Sequence, residues 1–179
     1  MINKAIEFAT KAHEGQYRKG SARPYILHPI EVADIVSAMT DDEEVISAAY
    51  LHDTIEDCAG VTKEILAEEF SPRVARMVAQ ESEDKTKSWF ERKNYTVCHI
   101  KDADSDVQKI ALADKLSNMR DIDRDYPMAG EKFWNRFRMK DKDKIAWYYK
   151  GIRNALKDTF DGEPVYEEYC RLIKKNFGE

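Results

Sequence analysis

The stretch Ala48-Ala49-Tyr50-Leu51-His52-Asp53-Thr54-Ile55-Glu56-Asp57 sets the reading of the whole chain. Its first half continues an apolar pattern from Val45 at helical spacing, and Asp41-Asp42-Glu43-Glu44 ahead of it puts acids at a helix start, where they complement the helix dipole. A His-Asp pair in such a run is costly to bury unless both groups find partners. A divalent cation is one such partner, because imidazole and carboxylate together suit Mn, Fe, Co or Zn. Neighbouring helical residues point about 100° apart, so His52 and Asp53 need further ligands from elsewhere. His28, directly before Pro29 at the mouth of a helix, is one candidate. Asp114, an acid inside Ile110-Ala111-Leu112-Ala113-Asp114-Lys115-Leu116, is the other. Two nitrogen and two oxygen ligands leave positions open for water and substrate. Glu56 and Asp57 follow His52 and Asp53 by four residues, which on a continuous helix places both on the ligand face. Carboxylates there can take a proton from water or hold that water in line.

Outward from this stretch the dominant period is helical. Ile2, Ala5, Ile6, Ala9 and Ala12 repeat every three or four residues. Thr62 and Ser71-Pro72 offer helix starts with a capping hydroxyl, the second with Pro at the first helical position. Residues 89–100, 105–119, 140–160 and 164–177 complete the expected helices, with a loop over 121–130 around Pro127 and Gly130. No window alternates polar and apolar residues between hairpin turns. The expectation is an all-α fold in one domain over residues 1–179, with the motif-bearing part over about 1–158 and a C-terminal helix over about 164–177.

Composition narrows the function classes. At 42% hydrophobic and 11% aromatic residues the chain can fill a core, which excludes a disordered or fibrous protein. The formal charge of −5 argues against nucleic acid or an anionic membrane as the main partner. No apolar run nears the roughly 18 residues needed to span a bilayer, and Glu7 interrupts the place of a signal peptide. Cys58, Cys98 and Cys170 are three unpaired-looking thiols, which fits a reducing cytoplasmic setting. A homo-oligomer is left open. Against the acidic balance, residues 131–150 carry seven Lys or Arg and three acids, a local +4 suited to a phosphorylated ligand or to a solvated helix face. The 15–25 loop is likewise basic, through Arg18, Lys19 and Arg23.

The order His28, His52-Asp53, Asp114 resembles the HD superfamily of metal-dependent phosphohydrolases, and within it the RelA/SpoT-type hydrolase domains and stand-alone small alarmone hydrolases. The resemblance rests on Ala12-His13-Glu14-Gly15-Gln16-Tyr17-Arg18-Lys19 with Pro24-Tyr25-Ile26-Leu27-His28-Pro29, on Leu51-His52-Asp53-Thr54-Ile55-Glu56-Asp57, and on Leu112-Ala113-Asp114-Lys115-Leu116-Ser117-Asn118-Met119-Arg120. It implies hydrolysis of the 3′-pyrophosphate of guanosine tetra- or pentaphosphate, with Mn²⁺ held by His28, His52, Asp53 and Asp114. Glu56 and Asp57 would then activate and orient the attacking water. By position Arg18 and Lys19 would meet the guanine and phosphates, Asn118 the ribose side, Lys93 the phosphates, and Lys144 with Tyr148 the nucleotide pocket. A base could also stack on Tyr25. His13, outside the ligand order, is expected to make structural hydrogen bonds. The chain departs from its relatives at Ala111, where Lys is frequent, at Ser117, where many carry His, and at Gly20-Ser21-Ala22, which replaces a Ser-Gly or Asp-Gly turn. These departures leave the substrate open to another nucleotide phosphate, such as the 2′-phosphate of NADPH. A non-catalytic nucleotide sensor is a third reading, which the presence of both Glu56 and Asp57 disfavours. The synthetase domain of the long relatives has no room in 179 residues.

Overall fold

A computed structural model describes residues 1–179 as ten α-helices and two 3₁₀ turns with no strand. The only β-type pairing is an isolated bridge between Tyr17 and Pro24, which closes the basic loop on itself. In chain order the helices are α1 (Ile2–Ala12), α2 (Leu27–Ser37), α3 (Glu43–Leu51), α4 (Thr54–Asp57), α5 (Lys63–Glu69), α6 (Pro72–Glu81), α7 (Trp89–His99), α8 (Ser105–Ala129), α9 (Lys142–Phe160) and α10 (Pro164–Phe177). The 3₁₀ turns, Ile100–Asp102 and Gly130–Arg136, lead into and out of α8.

Helix starts follow local chemistry. Asp42 accepts from the Glu44 amide at α3, Thr62 from Ile65 at α5 and Ser71 from Val74 at α6. Each such cap satisfies an amide that the helix itself cannot. Ser88 and Glu91 form a reciprocal capping box at α7. The core is threaded by α8, which packs against α2, α3, α6, α9 and α10. Its Ile110, Leu112, Leu116, Met119 and Ile122 are fully buried, together with Leu51, Leu66, Ile152, Leu156 and Ile173.

Two expectations are corrected. The segment 121–130 is not a loop: α8 runs through it to Ala129, with Pro127 inside its last turn. A proline this close to the end breaks few intrahelical bonds, and Ile122 is buried while Asp121 and Asp125 are tied to arginines outside the helix. Tertiary anchoring thus outweighs the turn signal, and the helix ends at Gly130, whose φ of +57° favours glycine. The second correction concerns the His52-Asp53 pair, which ends α3 instead of lying within one continuous helix. The His52 ring nitrogen Nδ1 donates to the Ala49 carbonyl and the Thr54 hydroxyl to that of Leu51, so side chains occupy acceptors near the break. Asp53, at φ −93° and ψ −5°, occupies the sparsely populated bridge region.

An ion-pair node joins three helix starts. Arg73 donates to Asp42 and Glu44 at 2.8 Å each and to Asp106 at 2.7 Å. The guanidinium holds the Asp42 carboxyl below its usual value, and the Ser71 hydroxyl together with Arg73 does the same for Glu44. Carboxyls lowered on folding stabilise the fold fully above their unfolded values, here 3.8 and 4.5, and that contribution is lost as pH falls through the lower folded values. Arg73→Met should therefore flatten the acid side of the stability profile, so that urea unfolding between about pH 6 and about pH 3 shows a shallower loss than in the parent.

Candidate active site

Three separate stretches deliver the candidate ligands to one buried place. The first turn of α2 brings His28, the α3–α4 break brings His52 and Asp53, and the middle of α8 brings Asp114. One donor atom each from His28, His52 and Asp114 lies within 4.8 Å of the others. Asp53 Oδ2 stands 3.0 Å from His52 Nε2 and 3.6 Å from His28 Nε2, and Asp114 Oδ1 stands 3.1 Å from His28 Nε2. His52 Nε2 is buried without a hydrogen-bond partner, although it lies so close to Asp53. A buried imidazole nitrogen left without a hydrogen bond beside two carboxylates and a second imidazole fits a divalent cation.

Neighbours fix each of these groups. His52 Nδ1 donates to the Ala49 carbonyl at 2.8 Å, and the Tyr25 hydroxyl donates to Asp53 Oδ2 at 2.6 Å. Asn118 donates to Asp114 Oδ1 at 2.6 Å, and the Lys115 ammonium pairs with the other oxygen. Burial would lower the His52 imidazole, but Asp53 and Asp114 outweigh it and push it up to about 9. His28 goes the other way, held below its ordinary value chiefly by burial. Burial opposes ionisation of both acids, yet His52 keeps Asp53 well below the carboxylate range and Lys115 does so for Asp114.

The cluster forms the floor of a cavity of about 360 Å³, within the size range of small-molecule sites. Glu56, Asp57, Arg18, Lys19, Lys93, Asn118 and Tyr148 all line it. Glu56 Oε2 accepts from the Glu83 amide at 3.1 Å, and burial raises its carboxyl. Asp57 is ion-paired to Lys85 at 2.7 Å, and Lys85 also donates to the Glu56 carbonyl. Arg18 donates to Asp121 and Asn118 and lies over the Tyr25 ring. Lys93 is held by Glu83 at 2.7 Å with its ammonium 4.8 Å from the centre of the Tyr148 ring. Tyr148 is buried and its hydroxyl has no partner. Lys144 is absent from the lining: it is exposed on α9, 3.9 Å from Asp141, while Arg136 and Arg138 of the same basic segment reach the cavity. His13 bonds Gln16 at 2.8 Å beside Tyr25 and leaves the cluster to His28 and His52.

Several lining groups carried no sequence signal of their own. Lys115 lies within the Leu112–Arg120 stretch, but only the fold turns it back onto Asp114. Glu81, at the end of α6, enters the cavity with its carboxyl pushed up to about 7 by burial. Glu83 gathers Arg92 and Lys93 from one turn of α7.

This constellation of a broken helix bearing His-Asp, a second histidine and a distant aspartate is that of a phosphohydrolase, and the chain belongs to the HD domain family, whose pattern it matches over residues 5–133. It is 36% identical over 177 residues to human guanosine-3′,5′-bis(diphosphate) 3′-pyrophosphohydrolase MESH1, covering 97% of this chain and 93% of that protein. The Danio rerio protein of the same name is 40% identical over 130 residues, 71% of this chain and 72% of its own length. A guanosine-3′,5′-bis(diphosphate) 3′-pyrophosphohydrolase of Vibrio cholerae is 41% identical over 127 residues, which are 68% of this chain but 18% of that longer protein. Among solved structures, a metazoan ortholog of SpoT described as hydrolysing ppGpp superposes with a TM-score of 0.85 at 26% identity, covering 99% of this chain and 96% of that one. The Listeria monocytogenes protein lmo0812 superposes with a TM-score of 0.77 at 32% identity, covering 85% and 99%.

The basic loop is pinned to α8 by Arg18 and Arg23 on one carboxylate, Asp121. A charged hydrogen bond of this kind contributes about 1.5–3 kcal/mol. Arg18→Ala should therefore speed amide exchange over residues 15–25 by at least about tenfold, as read by hydrogen–deuterium exchange, with α8 unchanged.

Proposed function

We propose that the chain hydrolyses the 3′-pyrophosphate of guanosine tetra- or pentaphosphate, releasing pyrophosphate and GDP or GTP. The observation that carries this reading is the convergence of His28, His52, Asp53 and Asp114 directly beside Glu56 and Asp57. His28, His52, Asp53 and Asp114 would hold the cation, which we take to be Mn²⁺. When bound, such an ion supplies Lewis-acid chemistry, polarising the phosphoryl group and making water more acidic.

The protein's own side chains supply the rest. Glu56 Oε2 is occupied by the Glu83 amide, which orients the carboxyl, and Oε1, 3.7 Å from the Lys85 ammonium, would take a proton from the attacking water. Its raised pKa makes it a better base than an exposed glutamate. Asp57, held by Lys85, keeps that water in line. Water adds to the phosphorus next to the ribose, the bond from phosphorus to the 3′-oxygen breaks, and that oxygen ends as the ribose hydroxyl. Arg18 and Lys19 would meet the guanine and phosphates, Asn118 the ribose side and Lys93 the pyrophosphate. Tyr148, buried beneath Lys93, would shape the wall of the nucleotide pocket. Lys144 would act at most on approach of the nucleotide, given its position outside the cavity.

Purified protein with guanosine tetraphosphate and Mn²⁺ should yield GDP and pyrophosphate. No turnover at micromolar enzyme, or tight nucleotide binding without product, overturns the reading. Release of phosphate from NADPH in preference to pyrophosphate from the guanosine nucleotide would move the substrate to the NADPH 2′-phosphate. Asp53→Ala should lose both metal and turnover, whereas Glu56→Ala should keep its metal content and lose roughly 10²–10⁴ in kcat.

A further inference from the structure

His28 is wired to the outside of the molecule by a chain of hydrogen bonds that runs away from the cavity. Its Nδ1 lies 2.9 Å from Ser117 Oγ, and that hydroxyl donates to Glu31 Oε2 at 2.8 Å. The other oxygen of Glu31 accepts from Arg120 at 3.1 Å. Arg120 in turn makes a two-pronged pair with Glu168 of α10, at 2.9 and 2.7 Å. Spacing on the helices makes this possible: Glu31 follows His28 by three residues on α2, and Arg120 follows Ser117 by three on α8, so each pair shares a face.

The donors converge on Glu31 from both sides. A serine hydroxyl has a single proton, and here it is given to a carboxylate whose second oxygen is taken by Arg120. Ser117 Oγ can therefore meet His28 Nδ1 only as an acceptor, which puts the ring proton on Nδ1. On the opposite side of the ring Nε2 stands 3.1 Å from Asp114 Oδ1, an oxygen of a carboxylate that already receives Asn118 and Lys115. We propose that Ser117, Glu31 and Arg120 are positioning residues that fix His28 with its proton on Nδ1 and its Nε2 lone pair facing the cation site, with Glu168 of α10 holding the outer end. This rests on the four-residue cluster being a cation site, and it assigns the C-terminal helix, beyond the residues matched to the HD domain, a part in building that site. Ligating histidines held through the other ring nitrogen lose about 10–100-fold in metal affinity when that hold is removed.

Mn²⁺ titration of the metal-free protein by calorimetry, together with nitrogen-15 NMR of the histidine rings at about pH 8, tests the proposal. Ser117→Ala should weaken Mn²⁺ binding by about 10–100-fold, and Ser117→Thr, which keeps the hydroxyl, should stay within about threefold of the parent. Glu31→Gln should weaken binding comparably, because Arg120 claims the amide oxygen and turns the NH₂ towards Ser117. Parental affinity in Ser117→Ala overturns the proposal. So does a ring spectrum of the unmutated, metal-free protein with the His28 proton on Nε2, a result that stands even if no variant folds. A parent protein that binds no Mn²⁺ counts against the proposed function, and the ring spectrum then decides the relay by itself.

Discussion

Everything in this molecule is arranged around the burial of two imidazoles and two carboxylates in one small volume. Such groups are expensive to take from water singly, and a like-charged pair of acids is worse. The fold meets the cost by supplying each with a dedicated partner: Ala49 for His52, Ser117 for His28, Tyr25 for Asp53, and Asn118 with Lys115 for Asp114. What these partners leave unsatisfied is the inward-facing side, where His52 Nε2 remains without a hydrogen bond. The site is therefore pre-formed from outside inwards, with its one orphaned atom on the inner side, where the proposed cation would sit.

Placing those partners dictates the helical architecture. The donors to Asp114 come from its own helix, one and four residues on, and Ser117 of the same helix reaches His28, so α8 has to pass beside the mouth of α2. The break after Leu51 redirects the chain so that Asp53 faces the histidines while Glu56 and Asp57 reach the cavity from the next short turn. An uninterrupted helix would hold all four side chains to a fixed angular spacing. A break at the pair frees Asp53 from that constraint, and the Thr54 and His52 side chains stabilise it.

How far this could be read in the sequence depended on whether the signal was local. His28, His52, Asp53 and Asp114 were legible because each is a polar group in an apolar helical setting, and burial without partners is a chemical anomaly visible in one dimension. The all-α class was legible for the same kind of reason, from periodicity. The continuation of α8 through Pro127 was not, because its cause is distant: Arg18, Arg23 and Arg136 reach Asp121 and Asp125 from other segments. Lys115 and Glu81 give no such signal, because a single charged residue looks the same on a solvated face as in a cavity wall. For the basic segment the net charge was readable but the register was not. The 3₁₀ turn over Gly130–Arg136 carries Arg136 and Arg138 to the cavity and leaves Lys144 outside.

The charges of the cavity wall bear on how an acidic protein admits a nucleotide with several negative charges. Its cations are mostly engaged already: Arg18 with Asp121, Lys93 and Arg92 with Glu83, Lys85 with Asp57, and Lys115 with Asp114. A cation paired with a buried acid is fixed in direction, so little conformational entropy is lost when a phosphate arrives, but the acid also cancels part of its attraction. Lys19 and Arg138, exposed at the rim, are not held in this way and are suited to drawing the ligand in. The division is between long-range attraction at the rim and short-range geometry on the floor. It follows from the same burial constraint: deep in the cavity a positive charge is stable only with an acid beside it, so net positive charge has to sit near water.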